Sequence, residues 1–207
     1  MKSWLTAAAF GLGLLMANPA QAVVLLDDDF DGEGPGTVLN YDAFANWDVT
    51  NGTVDTIGGA GGGVSCIGAA GVCIDLDGSS VDAGTLTSKT AFSFGAGETI
   101  SLMFDYSGNQ RTAGPDSMTV SLGSFYSEVF DNIPTNQGFT TVVRTFSSGA
   151  GGTANLEFAH DGFDFQGIIL DNVKLETRTP AVPVPMPLAL MGSAVLLAVW
   201  RARRARK

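Results

Sequence analysis

Histidine is almost missing from this chain: His160 is the only one among 207 residues. A site built on several imidazoles is therefore excluded. A Ser-His-Asp triad has one available base, in Phe158-Ala159-His160-Asp161-Gly162, and no serine stands in a G-x-S-x-G elbow to meet it. Cysteine is nearly as rare. Cys66 and Cys73 are the only two, and their spacing is not C-x-x-C, so neither a zinc site nor a redox motif is supported. Basic residues are scarce between positions 23 and 180. Lys89, Arg111, Arg144, Lys174 and Arg178 stand there against all 21 acids of the chain, a net charge of −16. Nucleic acid is excluded as a partner, because neutralising its phosphates takes Lys and Arg. The same excess favours divalent cations.

Helical periodicity is also absent between the two ends of the chain. The glycine-rich run Gly58 to Gly63 lacks the strand-then-helix context and the following lysine of a phosphate loop, and is expected to be a flexible loop. What is present is strand pattern. Thr99–Tyr106, Ser117–Leu122 and Phe139–Phe146 largely alternate polar and apolar residues, as strands with one buried face do. Asn51-Gly52, Gly95-Ala96-Gly97 and Gly149-Ala150-Gly151-Gly152 supply turns between such runs. Short strands at this spacing predict an all-β fold, a two-sheet antiparallel β-sandwich of jelly-roll type. Cys66 and Cys73 bracket the small loop Ile67 to Val72, which a disulfide can close in an oxidising compartment.

The ends carry the address. Lys2, the apolar run Leu5 to Met16 and Ala20-Gln21-Ala22 have the charge, length and small residues of a secretory signal cleaved before Val23. At the other end a proline-spaced motif, Val182-Pro183-Val184-Pro185, leads into an uncharged segment, 188–200, and a basic cluster, 201–207. As a helix, 188–200 is only about 20 Å long against a membrane core of about 30 Å. It is expected to enter the membrane with its basic end cytoplasmic, at least transiently. Two readings follow, a short permanent anchor or a processing signal. The expected organisation is a signal peptide (1–22), a β-sandwich domain (23–178), a proline-rich linker and sorting motif (179–187), a hydrophobic helix (188–200) and a basic cytoplasmic tail (201–207).

The order of parts at 182–207 resembles the VPLPA-CTERM group within the PEP-CTERM family of bacterial sorting tails. Val182-Pro183-Val184-Pro185 matches V-P-L-P with valine for leucine, and Met186 stands where the motif has alanine. The resemblance implies cleavage near the proline motif by an exosortase-type transpeptidase, then transfer to the cell surface or the extracellular matrix. Within the body, Leu26-Asp27-Asp28-Asp29-Phe30-Asp31 and the closing Gly167–Leu175 stretch with Ile169-Leu170-Asp171-Asn172-Val173 resemble the first and last strands of jelly-roll carbohydrate-binding modules of the galactose-binding-like group. Such modules pair those strands and often hold a structural calcium beside them. Carried over by position, its ligands would be Asp29, Asp31 and Asp171; calcium takes hard oxygen donors, typically 6–8 of them. The plainer reading of Asp27–Asp31 is a solvated acidic turn. Asp75, Asp77 and Asp82 resemble part of an EF-hand loop, but no glutamate follows at the required distance, and they are expected to be ordinary strand and loop carboxylates.

Three functions are compatible with these features. The first is an exported, non-catalytic sandwich that binds polysaccharide, including exopolysaccharide. It needs an exposed aromatic platform, for which Tyr41, Trp47, Tyr106 and Tyr126 are candidates, with Asn109, Gln110 and Arg111 on a nearby loop. The second is a structural or adhesive matrix protein without a small ligand. The third is a polysaccharide hydrolase, which would need two carboxylates about 5–9.5 Å apart; the E-x-D-x-E motif of jelly-roll glucanases is missing.

Overall fold

The structure is a computed structural model and describes residues 16–17, 21–61, 63–80, 82–112, 114–180 and 183–184. Most of the expected signal peptide and all of the hydrophobic helix and basic tail lie outside these residues, as do Val182 and Pro185 of the sorting motif; Met16–Ala17 and Ala22, within the expected signal peptide, are strand rather than helix. Two compact units are separated by contacts, Gln21–Pro180 and the combined ends 1–20 and 181–207. Of the second unit, only Met16–Ala17 (β1) and Pro183–Val184 (β17) are described, and they pair antiparallel. Among the described residues no helix is long and apolar enough to cross a membrane.

Gln21–Pro180 holds fifteen strands: β2 (Ala22–Asp28), β3 (Trp47–Thr50), β4 (Asp55–Gly58), β5 (Ala60–Gly61), β6 (Val64–Ser65), β7 (Val72–Asp75), β8 (Thr85–Ser88), β9 (Phe92–Phe94), β10 (Thr99–Ser107), β11 (Asp116–Leu122), β12 (Tyr126–Ile133), β13 (Thr140–Ser147), β14 (Gly152–Ala154), β15 (Leu156–Asp161) and β16 (Ile169–Arg178). One sheet runs β13-β10-β16-β7-β4, with β2 also paired to β16; the other runs β12-β11-β15-β8-β3. All the ladders within them are antiparallel, and the molecule is the two-sheet sandwich that its alternation pattern predicts.

The alternation is visible in what each strand buries. β10 turns Ile100, Leu102, Phe104 and Tyr106 inward, and β11 turns Met118, Val120 and Leu122 to meet them. Phe104 of one sheet and Phe158 of the other stand edge-to-face at 5.2 Å, and Trp47 packs edge-on against Phe158 at 5.8 Å. Edge-to-face contacts of this kind add about 0.5–1.5 kcal/mol each to the area that the rings bury. At one side of the sandwich the edge strands of the two sheets are clasped together. Arg144 on β13 gives two hydrogen bonds of 2.7 Å to the Glu128 carboxylate on β12, and Tyr126 stacks on Phe146 at 5.1 Å.

The glycine run departs from expectation. Gly58 closes β4, and Ala60–Gly61 pairs with Val64–Ser65 as a small hairpin rather than a free loop. The glycine is needed there for close approach: a Cβ on Gly58 would press on the backbone of Gly36 at 2.9 Å. The Cys66–Cys73 disulfide is formed and closes the neighbouring loop.

Candidate functional site

β2 and β16, the first and last strands of the sandwich, pair from Ala22↔Arg178 to Asp28↔Val173. That pairing carries the acidic turn after β2 to the beginning of β16. Asp29, Asp31 and Asp171, far apart in sequence, therefore line one pocket of about 190 Å³ together with Ile67, Ala70, Gly71 and Asn172. The loop held by Cys66–Cys73 forms its wall and fixes the acids from the side: Val72 donates its N–H to Asp31 Oδ1 at 2.8 Å, and the Ile67 N–H reaches Asp171. Gly71 has φ +68, and a Cβ there would overlap the Asp31 carboxylate, so the wall tolerates only glycine at that point. Burial pushes the Asp171 carboxyl up to about 6, with the charges of Asp31 and Asp105 adding to the effect. Asp28, beside them in sequence, does a different task. It is buried and turned into the core, where it accepts the indole N–H of Trp47.

The charged donors of this pocket are all carboxylates, with the Asn172 amide beside them, and oxygen is what calcium takes. Asp31 Oδ1 and Asp171 Oδ1 are already occupied by backbone N–H groups, the latter by Asn172 at 2.9 Å. Among the described residues no three His, Cys, Asp or Glu side chains are preassembled around one point as a metal cage.

The platform candidates drawn from sequence do not form one. Trp47 and Tyr106 are core residues, Tyr41 packs edge-on against Phe44, and Tyr126 is stacked on Phe146. Asn109 is buried and donates to Asp116; Gln110 binds the backbone of Ser65; Arg111 pairs with Asp75. The exposed aromatics are elsewhere, on the loop from β15 to β16: Phe163 is 73% exposed and Phe165 47%. The loop that presents them is tied down. Asp77 Oδ2 accepts the backbone N–H groups of Asp164 and Phe165, each at 3.1 Å, and Asp75 Oδ1 accepts that of Gly167 at 2.8 Å. Thr112 N–H reaches Gln166 Oε1 at 3.2 Å from the facing loop. Phe163-Asp164-Phe165-Gln166 is the signal that could have been read: two phenylalanines alternating with polar residues in a segment too short and glycine-bounded to be a core strand.

Asp75 and Asp77, expected as ordinary strand and loop carboxylates, lie at the end of β7 and in the loop after it, and both are buried completely. Burial raises the Asp75 carboxyl to about 7 against the opposing charge of Arg111, and it raises Asp77 as well. Asp82 stays on the surface, with its backbone in a bridge to Thr53 and Ser80.

No family model matches the chain, and no curated protein does. Solved structures are similar to it in arrangement. The C-terminal CBM6 of LamC, a marine laminarinase from Zobellia galactanivorans, aligns over 68% of this chain and 98% of its own at 12% identity and a TM-score of 0.41. The K1 cleaved adhesin domain of Lys-gingipain from Porphyromonas gingivalis aligns over 75% and 97% at 16% identity and a TM-score of 0.45. The GH26-CBM35 β-(1,4)-mannanase of Podospora anserina aligns over 74% of this chain and 29% of its own, at 18% identity and a TM-score of 0.37.

Proposed function

We propose that this chain is an exported cell-surface or extracellular-matrix protein whose sandwich binds polysaccharide without catalysis. The observation that carries the reading is the loop 162–167, where two large aromatic rings face solvent on a backbone fixed by buried carboxylates. The face of a phenyl ring matches the apolar C–H face of a sugar ring, and a loop already held in place loses little freedom on binding. The −16 charge of residues 23–180 repels polyanions, so the ligand class is a neutral or weakly charged glycan. Calcium at Asp29, Asp31 and Asp171 belongs to the same proposal, as a structural ion that relieves the crowding of charge in their pocket. The exosortase-type sorting of Val182-Pro183-Val184-Pro185 and a passing stay of 188–200 in the membrane complete it.

Binding of the full chain to a polysaccharide panel that includes the host's exopolysaccharide, with calcium and with EDTA, tests the reading. Phe163→Ala/Phe165→Ala is expected to weaken glycan binding at least about tenfold, the equivalent of about 1.4 kcal/mol from two ring contacts. Binding to no glycan would sink the polysaccharide reading in favour of an adhesive matrix role, and unchanged binding by the double variant would move the site elsewhere. Calcium is expected to raise the melting temperature of the wild type and not of Asp171→Asn; an identical melting curve in EDTA removes the ion. Mass spectrometry of the protein from its own cells is expected to find no peptide beyond Pro187, and a peptide ending at Lys207 would replace sorting with anchoring.

A further inference from the structure

We propose that the 162–167 loop takes glycans carrying free, protonated amino groups, the deacetylated amino-sugar polymers, with an ammonium over a phenyl face beside Asp164. This specificity rests on the polysaccharide reading above and gives the ligand a sign of charge.

The rings alone do not choose a sugar. Phenylalanine has neither the hydroxyl of tyrosine nor the indole N–H of tryptophan, so Phe163 and Phe165 offer a face and no hydrogen bond. That face is negative, and it attracts a cation set over it as well as the C–H face of a sugar. Selection falls to the groups beside the rings, and these are carboxylates. Asp164 stands between the two phenylalanines and is exposed with them; Asp161, where β15 ends, is exposed as well. Among the described residues neither pairs with a cation.

More carboxylates lie under the loop. Asp77 is fully buried; its Oδ2 holds the loop backbone, and its Oδ1 has no partner among the described residues. Asp116 is buried nearby, with the Asn109 amide on Oδ2 at 2.9 Å, a contact that brings no charge. Burial raises the carboxyls of Asp77 and Asp116, and the charge of Asp164 raises both further, so the acids of this end act on one another.

The cations that could answer them are elsewhere. Of the five between positions 23 and 180, Arg111 reaches this end, and it pairs with Asp75. Arg144 is clasped to Glu128, and Lys174 lies between Asp27 and Glu176. Lys89 reaches the Phe44 carbonyl, and Arg178 pairs with Ala22 at the far end of β16. His160 supplies no charge either. Its side chain is fully buried without a hydrogen-bond partner, and burial lowers its pKa to about 4.

The rings are thus presented on an acidic surface that lacks its own counter-charge. A uronic-acid polymer is repelled there, and a neutral glycan gains the ring contact alone. A protonated amine gains the ring face, the field of the acids and a charge-assisted hydrogen bond to Asp164. A basic peptide carries the same charge but lacks the flat C–H face that lies on a phenyl ring, so the two features together favour an amino sugar.

The test is calorimetric titration of the full chain at about pH 6 in low salt, where the amines are protonated. The probes are glucosamine oligomers, their N-acetylated counterparts and glucose oligomers of equal length. The glucosamine oligomers are expected to bind at least about tenfold more tightly than the other two, a ratio that shrinks in about 0.5 M salt. Asp164→Asn keeps an acceptor for the Gln166 N–H that Asp164 Oδ1 takes at 3.2 Å, so the loop is retained. It is expected to cut the ratio about threefold or more, as loss of one exposed charge contact should. The ratio is read within one protein, so a general loss of fold does not mimic its fall. Phe163→Ala/Phe165→Ala is expected to weaken all three probes. Equal binding of the three overturns the amine specificity and leaves the polysaccharide reading standing, whereas binding of none removes both. An unchanged ratio in Asp164→Asn, or a lysine oligomer of equal charge that binds as tightly as the glucosamine oligomer, also overturns it.

Discussion

Asp28→Ala is expected to lower the unfolding free energy by about 3–5 kcal/mol, although the residue touches no candidate ligand. Its carboxylate is the acceptor on which the opening of the sandwich converges. Asp28 Oδ2 takes the Trp47 indole N–H at 2.8 Å and the Asn46 amide at 3.0 Å, while Oδ1 takes the Phe30 backbone N–H at 2.9 Å. Trp47 and Phe30 are both fully buried, and their rings lie 6.2 Å apart. Removal of the carboxylate strands those donors away from water and opens a gap beside the largest side chain in the core. Asp28→Asn keeps an acceptor for the indole and should lose only about 1–2 kcal/mol. Urea unfolding measures both, as a fall in the midpoint at constant slope. Equal midpoints for wild type and Asp28→Ala would show that Trp47 is held by packing alone.

Arg111→Met is expected to destabilise the fold by about 1 kcal/mol more at pH 8 than at pH 5. Asp75 has a side chain that is 1% exposed, and Arg111 is the cation that pairs with it. Breaking a buried pair from one side leaves an uncompensated charge, which typically costs 3–5 kcal/mol. The pH dependence has a definite sign. The Asp75 carboxyl is already raised to about 7 by burial, with Arg111 opposing, and removing the guanidinium raises it further. The folded state therefore keeps a proton that the unfolded chain, near 3.9, has released. Both proteins lose stability from this group as pH rises above about 4, and they part only above about 7, where the wild type releases the proton and the variant still holds it. His160, whose pKa burial lowers to about 4, works in the opposite direction, but equally in wild type and variant. The difference between the two proteins isolates Asp75. Denaturation at pH 8 and pH 5 in EDTA supplies it, and a penalty that does not change with pH would refute the account.

Much of the fold was legible because it is written in alternation. Thr99–Tyr106, Ser117–Leu122 and Phe139–Phe146 became β10, β11 and β13 within a residue or two, since a period of two leaves a sandwich strand little choice of face. The meeting of Asp29, Asp31 and Asp171 was also legible, because it follows from pairing the first strand with the last. Asp75, Asp77, Asp116 and His160 were not. Each sits in an unremarkable local context, and their neighbourhood is made by strand register and by a loop 87 residues further along the chain from Asp77. Phe163 and Phe165 are hidden in the sequence for another reason. Phenylalanine is among the residues most often buried, so composition argues for the core, and only the observed exposure places these two outside it.

Antiparallel pairing also sets how the sandwich transmits force. Ala22 and Arg178, where the chain enters and leaves the sheet, are partners at one pole of β16. Ile169, at the other pole, pairs with Asp75, close to the aromatic loop. The ten residues of β16 put about 30 Å between the poles. A pull between a ligand held at the far pole and the chain leaving after Arg178 runs along β16 itself. The hydrogen bonds of its ladders to β10 and β2 lie across that line, so they are strained together in shear rather than opened one after another. The pairing that gathers Ala22 and Arg178 at one pole thus sets β16 so that any such pull would meet its ladders in shear.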